Sequence, residues 1–597
     1  MKVSDYVVKC LEQHNVKDVF LLSGGGMMHL LDSVGNAENI NCYYNLHEQA
    51  SSICADAYAQ ITQDLAVCMV TSGPGATNAI TGAVNSWIDS EPVLVISGQA
   101  KTSDLVGDRG VRQTGSQEVN ITAMMQPVTK YAVTVTDKMM IRYHLEKAIY
   151  LATHGRKGTT WVDIPLDVQG AQVEEDELIP FDAAAEGLDE HYDISDKDCN
   201  EILDMIHEAK RPLILVGKGV RSAKVEKTLV DLCHRLQLPA IATWRAKMVF
   251  ADDDDLYFGH PGSPGPRYSN WILQTCDFLL VIGSRLNPGI TAFNEPHFAY
   301  QAKKVIVDLD ENEIRKLDMK FEKTLVCDAG VFVTKFAKCA EKMETLDIEP
   351  WLAYCRAAKA AYPLYKEQQA VPQSMTNMYL FGHELSLRTK PEDVIVESSS
   401  GRSCGIIGMS YERKEGQIEI GAMGLGSMGF ALPASIGACI ASGKNRTITL
   451  EGDGSLQHNL QELALIRGYQ LPLKLFILSN SGYASIAVMQ DNHFESRYAG
   501  CNAQSGVFCC DLKKLADLYD LNYYIIHDDS EIVPVIEKVL ADNEPVLCEV
   551  KADYTFDEIP KAMTKVNPDG TLSSSVLEDM FPFLPEEETA KWMKGEL

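Results

Sequence analysis

The sequence predicts an α/β protein built from three parallel-sheet domains and a C-terminal tail. Short runs rich in Val, Ile and Leu alternate with amphipathic helical patterns along the chain, as expected when helices cover both faces of a parallel sheet. The chain has 597 residues, which is enough for about three to five domains. The alternation and the length together favour several α/β units.

The N-terminal part shows this alternation most clearly. Strands are predicted at residues 40–46, 65–71 and 92–97, and helices at 48–60 and 76–87. A glycine-containing turn is predicted at 73–75. In sheets of this kind ligands collect at the carboxyl ends of the strands. Functional residues are therefore expected in the turns that follow strands.

Changes in composition predict the domain boundaries. Residues 172–198 are acidic and lack sustained periodicity, and residues 345–375 have the pattern of a helical linker. The C-terminal segment carries Pro, Gly and Glu instead of alternating strands and helices. We therefore predict an N-terminal domain at residues 1–170 and a central domain at 190–345. A third domain is predicted at 370–555, and a tail at 556–597.

The charge and cysteine content exclude several classes of function. Asp and Glu number 83 against 54 Lys and Arg, a net charge of −29, which argues against a nucleic-acid or anionic-membrane surface. No apolar run approaches the ~20 residues of a transmembrane helix, and no apolar signal segment opens the chain. The sixteen cysteines form no C-x-x-C pair and suit buried free thiols of a reducing compartment. A cytoplasmic enzyme is expected.

Two polar turns in the third domain carry the strongest chemical signal. The strand predicted at 446–451 runs into Gly452, Asp453, Gly454 and Ser455. The strand predicted at 472–478 runs into a turn that contains Asn480, Gly482 and Tyr483. Because neighbouring parallel strands end at one edge of a sheet, we expect the Asp453 carboxylate, the Asn480 amide and the Gly482 carbonyl to converge.

These three oxygens are the hard ligands that Mg²⁺ prefers, with diphosphate oxygens and water completing the octahedron. A helix predicted at 456–469 would direct its positive end toward the phosphates. Each turn alone also suits a plain structural role, with Asp453 as a helix cap and Asn480 as a turn residue. The combination of the two turns favours a metal–diphosphate site.

A second glycine motif supports a different class of enzyme. Gly424, Gly426 and Gly429 match G-x-G-x-x-G, and Glu451 further on could serve as the ribose-binding acid of an NAD-type dehydrogenase. Two observations oppose this alternative. Residues 416–420 make a poor buried strand, and the strand that ends at Glu451 continues into the metal motif.

The Gly-Asp-Gly and Asn turns resemble the cofactor motif of thiamine-diphosphate enzymes. Residues 19–26 look like the first glycine loop of the same family. Further segments resemble acetolactate synthase, in the same order along the chain, namely residues 71–79, 97–99, 117–118, 127–130 and 424–433. The central domain is similar to that of the same enzyme at residues 217–219, 283–285 and 308–310. The chain is thus identified, over nearly its whole length, as an acetolactate synthase-like member of this family.

The resemblance implies roles for individual residues. Glu48, in the sequence His-Glu-Gln-Ala, matches the catalytic glutamate that activates the cofactor through its pyrimidine ring. By position alone, a glutamate in the first turn of a helix is usually explained by its stabilising effect on the helix dipole. The Gly426 carbonyl would bind the aminopyrimidine, and Met428 would wedge between the two cofactor rings. The other implied cofactor-binding residues are Gly401, Gly452, Gly454, Ser455, Gly482 and Tyr483. The implied metal ligands are Asp453, Asn480 and Gly482.

Substrate contacts are implied for the first glycine loop, Gly24, Gly25 and Gly26, and for Gln117, a candidate catalytic residue. His29 stands where relatives usually have proline, and Met489 stands where acetolactate synthases have a substrate-selecting Trp. Ser116 likewise replaces a Phe. The loss of two aromatic side chains is expected to reshape the pocket for the acceptor.

The implied activity is a carboligase or decarboxylase that uses thiamine diphosphate and Mg²⁺. It would act on a 2-oxo acid such as pyruvate and join the two-carbon unit to a second carbonyl. The alternatives left open are a 2-oxo acid decarboxylase, a hydrolase of a diketone C–C bond, the NAD-type dehydrogenase, and an inactive relative that only binds cofactor. Substrate identity does not follow from kinship.

Further partners are implied by the same resemblance. Relatives often bind FAD in the central domain, and His260 and residues 283–285 are candidate contacts. In the family, the counterparts of Glu48 and Asp453 in one site come from different chains, which implies a homodimer or homotetramer with sites at the subunit interface. Met580, Phe581, Phe583 and Leu584 are expected to bury the tail against the body and cover the site.

Overall fold

The computed structural model describes residues 1–369, 374–555, 558–566, 569–573 and 576–595. Within these residues the chain forms three parallel sheets of six, five and six strands, and one small antiparallel pair. The predicted fold class, three parallel-sheet α/β domains, is confirmed. No helix in the described ranges is long and apolar enough to cross a membrane.

The first sheet has the strand order β2-β1-β3-β4-β6-β5. Its strands are β1 (Asp18–Leu21), β2 (Asn41–Tyr44), β3 (Ala66–Val70), β4 (Val93–Gln99), β5 (Tyr131–Thr134) and β6 (Thr160–Pro165). The helices around it are α1 (Val3–Gln13), α2 (Met28–Gly35), α3 (Glu48–Thr62), α4 (Pro74–Asn78), α5 (Ile80–Asp89), α6 (Ile121–Met125), α7 (Ile141–Thr153) and α8 (Leu166–Gly170). The helix predicted at 76–87 is thus two helices, α4 and α5.

The central sheet has the order β11-β10-β9-β7-β8. Its strands are β7 (Pro212–Val216), β8 (Ala240–Ala242), β9 (Phe278–Ile282), β10 (Lys303–Asp308) and β11 (Lys323–Val326). The helices are α9 (Asp196–Glu208), α10 (Lys218–Ser222), α11 (Glu226–Leu236), α12 (Arg267–Thr275), α13 (Pro288–Thr291), α14 (Glu311–Arg315) and α15 (Ala329–Cys339). Two helices of the linker follow, α16 (Glu349–Ala361) and α17 (Lys366–Gln369).

The third sheet has the order β13-β12-β14-β15-β17-β16. Its strands are β12 (Val394–Glu397), β13 (Glu419–Ile420), β14 (Thr447–Gly452), β15 (Leu473–Ser479), β16 (Asn522–Ile526) and β17 (Val546–Lys551). The helices are α18 (Met378–Arg388), α19 (Arg402–Gly408), α20 (Ala431–Ala441), α21 (Asp453–Leu456), α22 (Leu463–Gly468), α23 (Ala484–Phe494), α24 (Leu512–Leu518) and α25 (Ile532–Ala541). All three sheets lie inside the predicted domains, whose exact boundaries stay a prediction.

The single helix predicted at 456–469 is wrong. The chain forms the short helix α21, a 3₁₀ turn at Leu460–Glu462 and then α22. The break occurs at Asn459, whose φ of −138° is not helical. Its buried side chain donates to the Gly429 carbonyl at 2.7 Å, a tertiary bond that replaces helical geometry. Because α21 has only four residues, its dipole adds less than expected.

The first and third domains pack through α3 and α20. A Cβ atom on Gly437 of α20 would lie 2.2 Å from the Cys54 carbonyl oxygen of α3, so only glycine permits this approach. The Cys54 thiol donates to the Pro433 carbonyl across the same contact at 3.0 Å. Since Glu48 begins α3, this packing fixes the position of Glu48 against the third domain.

The tail packs across the central and third domains. Met580 is fully buried, Trp592 stacks on Trp271 with 5.5 Å between ring centroids, and Arg267 donates to the Met580 carbonyl at 2.9 Å. Phe581 and Leu584 join core clusters as partly buried side chains, whereas Phe583 is 37% exposed. The remaining elements are β18 (Lys565–Val566), β19 (Leu572–Ser573) and α26 (Glu586–Trp592). The tail's role as a cover stays a prediction.

Candidate active site

The two polar turns of the third domain lie side by side. Strands β14 and β15 are parallel neighbours whose register pairs Gly452 with Leu478, so both end at the same edge of the sheet. The Asp453 Oδ2 atom accepts a hydrogen bond from the Ser481 backbone N–H at 2.7 Å. The Oδ1 atom accepts from the Gly454 N–H at 2.8 Å. Asp453 and the turn that contains Asn480 and Gly482 therefore lie next to each other, and the convergence of the three oxygens on one metal ion stays a prediction.

Asp453 is a buried carboxylate in this arrangement. It is 3% exposed, and burial raises its pKa to about 6 against the lowering effect of the backbone bonds to the 481 turn. A buried carboxylate is costly unless a cation or several donors compensate it. The two backbone donors compensate only in part, which makes the site a good one for a divalent cation.

Asn480 has an amide oxygen whose surroundings fit a metal ligand. Its Oδ1 atom is buried and makes no hydrogen bond within the part of the chain that the structure describes. Buried polar atoms of this kind nearly always have a partner. Oδ1 therefore has a free acceptor position beside Asp453, as the ligand of a hard cation requires.

Glycine is required around this turn for steric reasons. Gly482 has φ +151°, and a Cβ atom there would lie 2.1 Å from the Cys501 carbonyl oxygen. A Cβ atom on Gly454 would lie 2.7 Å from the Tyr483 ring and 3.0 Å from the Gly482 carbonyl oxygen. The Gly482 carbonyl therefore lies against Gly454, next to Asp453, as the third oxygen of the set.

The donor set fits magnesium. Among the described residues, no group of three His, Cys, Asp or Glu side chains could hold a metal ion. A metal at this edge would thus depend on Asp453, the Asn480 amide, the Gly482 carbonyl and oxygens of its ligand. That mixture of one carboxylate, neutral oxygens and ligand oxygens is typical of Mg²⁺ bound with a phosphate.

Glu451 connects this turn to the second glycine motif. Its carboxyl group accepts from the Ser455 hydroxyl and from the Leu432 N–H at 3.1 Å, and the same hydroxyl accepts from the Gly429 N–H at 2.8 Å. Glu451 is fully buried, and burial raises its pKa to about 7. It is therefore not accessible to a ribose, as the dehydrogenase alternative would require.

The residues implied to hold the cofactor's rings lie in the loop before α20. Gly426 has φ +69°, and a Cβ atom there would lie 3.4 Å from the Ser399 carbonyl oxygen; Gly401 has φ +80° in the turn after β12. Met428 is half-buried, and Gly429 next to it is held by Ser455 and Asn459. The bonds to Gly429 anchor this loop to the segment 455–459, directly after Asp453.

Glu48 is the first residue of α3. Its side chain is buried, with 8% exposure, and its Oε2 atom accepts from the Asn78 amide at 3.0 Å. A Cβ atom on Gly75 would lie 3.4 Å from its Oε1 atom, so the 73–75 turn passes directly over the carboxyl group. The strand-to-helix junction is fixed by Glu462, which accepts from the Asn45 side chain and the Leu46 N–H, each at 3.0 Å.

The implied substrate residues are only partly brought together. A Cβ atom on Gly73 would lie 2.5 Å from the Gln117 carbonyl oxygen, so Gln117 rests on the turn that covers Glu48. Gly24 and Gly26 pack against Thr71 and Ser72 just before that turn, and the Gly26 N–H donates to the Thr71 hydroxyl at 3.0 Å. Gly25 has no neighbour within 4 Å of its Cβ position.

His29 and Met489 lie apart from this group. The His29 ring packs against Gly170 of α8, with Nε2 2.8 Å from that residue's Cβ position. Met489 lies on α23, the helix that follows the turn containing Asn480 and Gly482, and is 42% exposed. Among the described residues, no hydrogen bond joins either side chain to Glu48 or Gln117, and their substrate role stays a prediction.

A separate cavity of about 690 Å³ lies between the domains. The central domain contributes Gly283 and Arg285 to its wall, as the sequence suggests for a flavin site. His260 is not part of the wall: it is fully buried behind Trp244, with 4.6 Å between their rings. The charged side chains of the wall are of both signs: the cationic ones are Arg156, Lys157, Lys218, Arg245, Arg285 and Lys316, and the acidic ones are Asp89, Asp308, Glu313, Asp328 and Glu558.

Some site residues have no local sequence signal. Asn78 lies within a segment that resembles the family, but only the fold shows that it donates to Glu48. The cavity wall draws residues from all three domains and Glu558 from the tail, so no single pattern predicts it. For Glu462, the sequence shows only that it follows the Gly452–Ser455 turn, and it gives no indication of the bonds to Asn45 and Leu46.

The paired turns and the buried glutamate define the class of protein, a thiamine-diphosphate-dependent enzyme. The chain matches the three domains described as "Thiamine pyrophosphate enzyme, N-terminal TPP binding domain", "central domain" and "C-terminal TPP binding domain", at residues 1–124, 199–336 and 401–550. The chain belongs to the thiamine pyrophosphate enzyme family, and thiamine diphosphate is its cofactor.

Within that family the chain is acetolactate synthase-like. It is 30% identical to the acetolactate synthase large subunit of Parasynechococcus marenigrum, over 84% of this chain and 80% of that protein. It is 29% identical to the large subunit of Corynebacterium glutamicum, over 90% and 84%, and 28% identical to that of Cyanidium caldarium, over 91% of each. Carboligase or lyase chemistry on small molecules follows from this kinship.

Proposed function

We propose that the protein is a Mg²⁺- and thiamine-diphosphate-dependent carboligase that acts on a 2-oxo acid such as pyruvate and joins the two-carbon unit to a second carbonyl. The observation that carries this proposal is the buried Asn480 Oδ1 atom, which has no hydrogen-bond partner among the described residues and lies on the turn that binds the buried Asp453 carboxylate. Asp453, Asn480 and the Gly482 carbonyl would hold Mg²⁺ and, through it, the diphosphate. Gly452, Gly454, Ser455 and Tyr483 would surround that group.

The remaining groups would act on the cofactor's rings. When bound, thiamine diphosphate supplies a nucleophilic thiazolium carbon and an electron sink for loss of CO₂. The Glu48 carboxyl group would share a proton with the pyrimidine nitrogen, and the Asn78 amide orients that carboxyl group through Oε2. Gly401, the Gly426 carbonyl and Met428 would shape the ring pocket. Gln117 and the loop of Gly24, Gly25 and Gly26 would contact the substrate, with His29 and Met489 as further candidates.

The acceptor decides between the related reactions. If the acceptor is a carbonyl, the product is a longer hydroxyketone, and if it is a proton, the enzyme is a decarboxylase; a hydrolase would instead take a diketone as its substrate and cleave the C–C bond with water, without loss of CO₂. Mass spectrometry of the products formed from a panel of 2-oxo acids and aldehydes, with thiamine diphosphate and Mg²⁺ supplied, distinguishes these outcomes. A ligated product supports the proposal, and release of the free aldehyde alone contradicts it.

We further propose that the cavity between the domains holds FAD. The volume of the cavity and the presence of Gly283 and Arg285 in its wall support this assignment, and Trp244 offers a flat aromatic surface in the same wall. A flavin absorption band in the purified protein would support the assignment. A colourless protein that gains no band when FAD is added would contradict it.

We also propose a homodimer or homotetramer whose sites lie at the subunit interface. Apolar side chains are exposed beside both halves of the site, Leu46 at 50% next to Glu48 and Phe508 at 75% near the metal turn. Exposed apolar groups of this kind are typical of interfaces. Light scattering tests the assembly. Sixteen free cysteines support a reducing compartment, and we propose the cytoplasm.

A further inference from the structure

The loop between β4 and α6 carries Gln117 to the turn that covers Glu48. The Gln117 carbonyl oxygen lies against Gly73, and Gly75 of the same turn lies over the Glu48 carboxyl group. Residues 100–120 contain little regular structure, with one 3₁₀ turn at Thr102–Asp104. The position of Gln117 therefore depends on whatever holds this loop together.

Glu118, the residue after Gln117, accepts hydrogen bonds from backbone N–H groups of its own loop. Its Oε1 atom accepts from the Val106 N–H, and its Oε2 atom accepts from the Thr114 N–H at 2.9 Å and the Gly115 N–H at 3.0 Å. Burial acts to raise the pKa of Glu118, but these backbone bonds outweigh it and hold the pKa below its ordinary value. The carboxylate thus joins residues up to twelve positions apart in sequence.

The neighbouring residues impose a constrained backbone on Gln117. Gln117 has φ +57°, a left-handed conformation that residues with a side chain rarely adopt. On its other side, the Val119 carbonyl accepts from the Gln99 amide at 2.8 Å, and the same amide donates to the buried Asp163 at 3.0 Å. A strained residue persists only when its surroundings determine it, and here Glu118 and Gln99 do so.

We propose that Glu118 is a positioning residue whose carboxylate folds the 100–120 loop and thereby holds Gln117 at the rim of the site, where it meets the 2-oxo acid. This inference rests on the proposed role of Gln117 as a substrate contact. It does not involve the diphosphate or the metal, whose residues lie in the third domain. A defect at Glu118 should accordingly affect the substrate and leave cofactor affinity intact.

The rate of trypsin cleavage within the loop measures how well the loop is ordered, because trypsin cuts after Lys101, Arg109 and Arg112. In Glu118→Gln and Glu118→Ala, we expect cleavage at these sites to accelerate by about tenfold or more, since charged hydrogen bonds are the strong ones. We expect kcat/KM for pyruvate to fall by a similar factor. The affinity for thiamine diphosphate with Mg²⁺ should stay within about twofold of the wild type.

Asp108→Asn is the matched control, because Asp108 is exposed in the same loop and makes no hydrogen bond or ion pair within the described residues. It should change neither readout. Gln117→Ala, tested beside it, should lower kcat/KM without accelerating cleavage. The Glu118→Gln protein keeps the size of the side chain, so it tests the charge even where the Ala variant folds poorly.

Two results would overturn the proposal, and they differ. Unchanged cleavage and unchanged kinetics in Glu118→Gln would show that the carboxylate does not hold the loop, whatever Gln117 does. Faster cleavage with unchanged kcat/KM, together with a fully active Gln117→Ala protein, would show that the loop is held but Gln117 does not meet the substrate. The second result would also remove Gln117 from the proposed function.

Discussion

The Asp453 carboxylate accepts a hydrogen bond from the Ser481 backbone N–H at 2.7 Å, which ties the turn after β14 to the turn after β15. This bond sets the distance between Asp453 and Asn480 before any ligand binds. Preorganised ligands bind metals and phosphates without a large ordering cost. The third domain therefore holds the two proposed metal ligands, Asp453 and Asn480, on turns that are bonded to each other.

Glu48→Gln should retain cofactor binding and lose at least about 100-fold in turnover, the usual size of a general acid–base contribution. The amide keeps the shape of the side chain and its bond from Asn78, but it cannot share a proton with the pyrimidine. Turnover of pyruvate and binding of thiamine diphosphate are measured on the same sample. Glu38→Gln, an exposed glutamate of the same domain, should behave as wild type. Wild-type turnover in Glu48→Gln would remove Glu48 from the mechanism.

Arg285→Gln should lower the ratio of flavin to protein by about tenfold, because the variant removes a cationic donor from the cavity wall. Thiamine diphosphate affinity should be unaffected, since neither Asp453 nor Asn480 lies in the wall of the cavity. The flavin absorption band reports the ratio. Arg315→Gln, which changes an exposed arginine on α14, is the control. Equal flavin content in both variants would contradict the assignment of the cavity.

Asp163 predicts a pH dependence of stability. Burial raises its pKa to about 7, although it accepts bonds from Ser97, Gln99 and Thr134. Because its folded pKa is above the unfolded value, the native state binds the extra proton, so this group's contribution to stability falls as pH rises from about 4 to about 7. The slope for one proton is at most about 1.4 kcal/mol per pH unit.

Asp163→Asn removes this titration. The free energy of unfolding of the variant, relative to wild type, should therefore rise with pH across that window and level off above about pH 7. Urea unfolding from pH 5 to pH 8 measures the difference. Asp204→Asn, at an exposed position on α9, should give a flat difference. A flat difference for Asp163→Asn as well would show that its pKa is not raised.

The fold was predictable where burial alone decides the pattern. Strand β9 (Phe278–Ile282) is a continuous apolar run because both of its faces are covered, and that run is visible in the sequence. The meeting of Asp453 and Asn480 was predictable for the same reason, because adjacent parallel strands end at one edge. Local pattern and topology were sufficient there.

Other features depend on tertiary contacts that no local pattern records. The helix expected through Asn459 breaks because that side chain binds the Gly429 carbonyl, which is distant in sequence. His260 lies beside a glycine turn that suggests a ligand contact, yet Trp244 covers it. The wall of the cavity combines residues from separate domains. These cases required the three-dimensional arrangement.

The most direct test of the central claim is the affinity for thiamine diphosphate with Mg²⁺ and with EDTA, in the wild type, Asp453→Ala and Asn480→Ala. We expect the wild type to bind only with Mg²⁺. Both variants should lose at least about tenfold in affinity, since even indirect partners of a metal ligand contribute 10- to 100-fold. Asn492→Ala, an exposed Asn on α23, should match the wild type. Equal affinity in all four proteins, with or without Mg²⁺, would contradict the account.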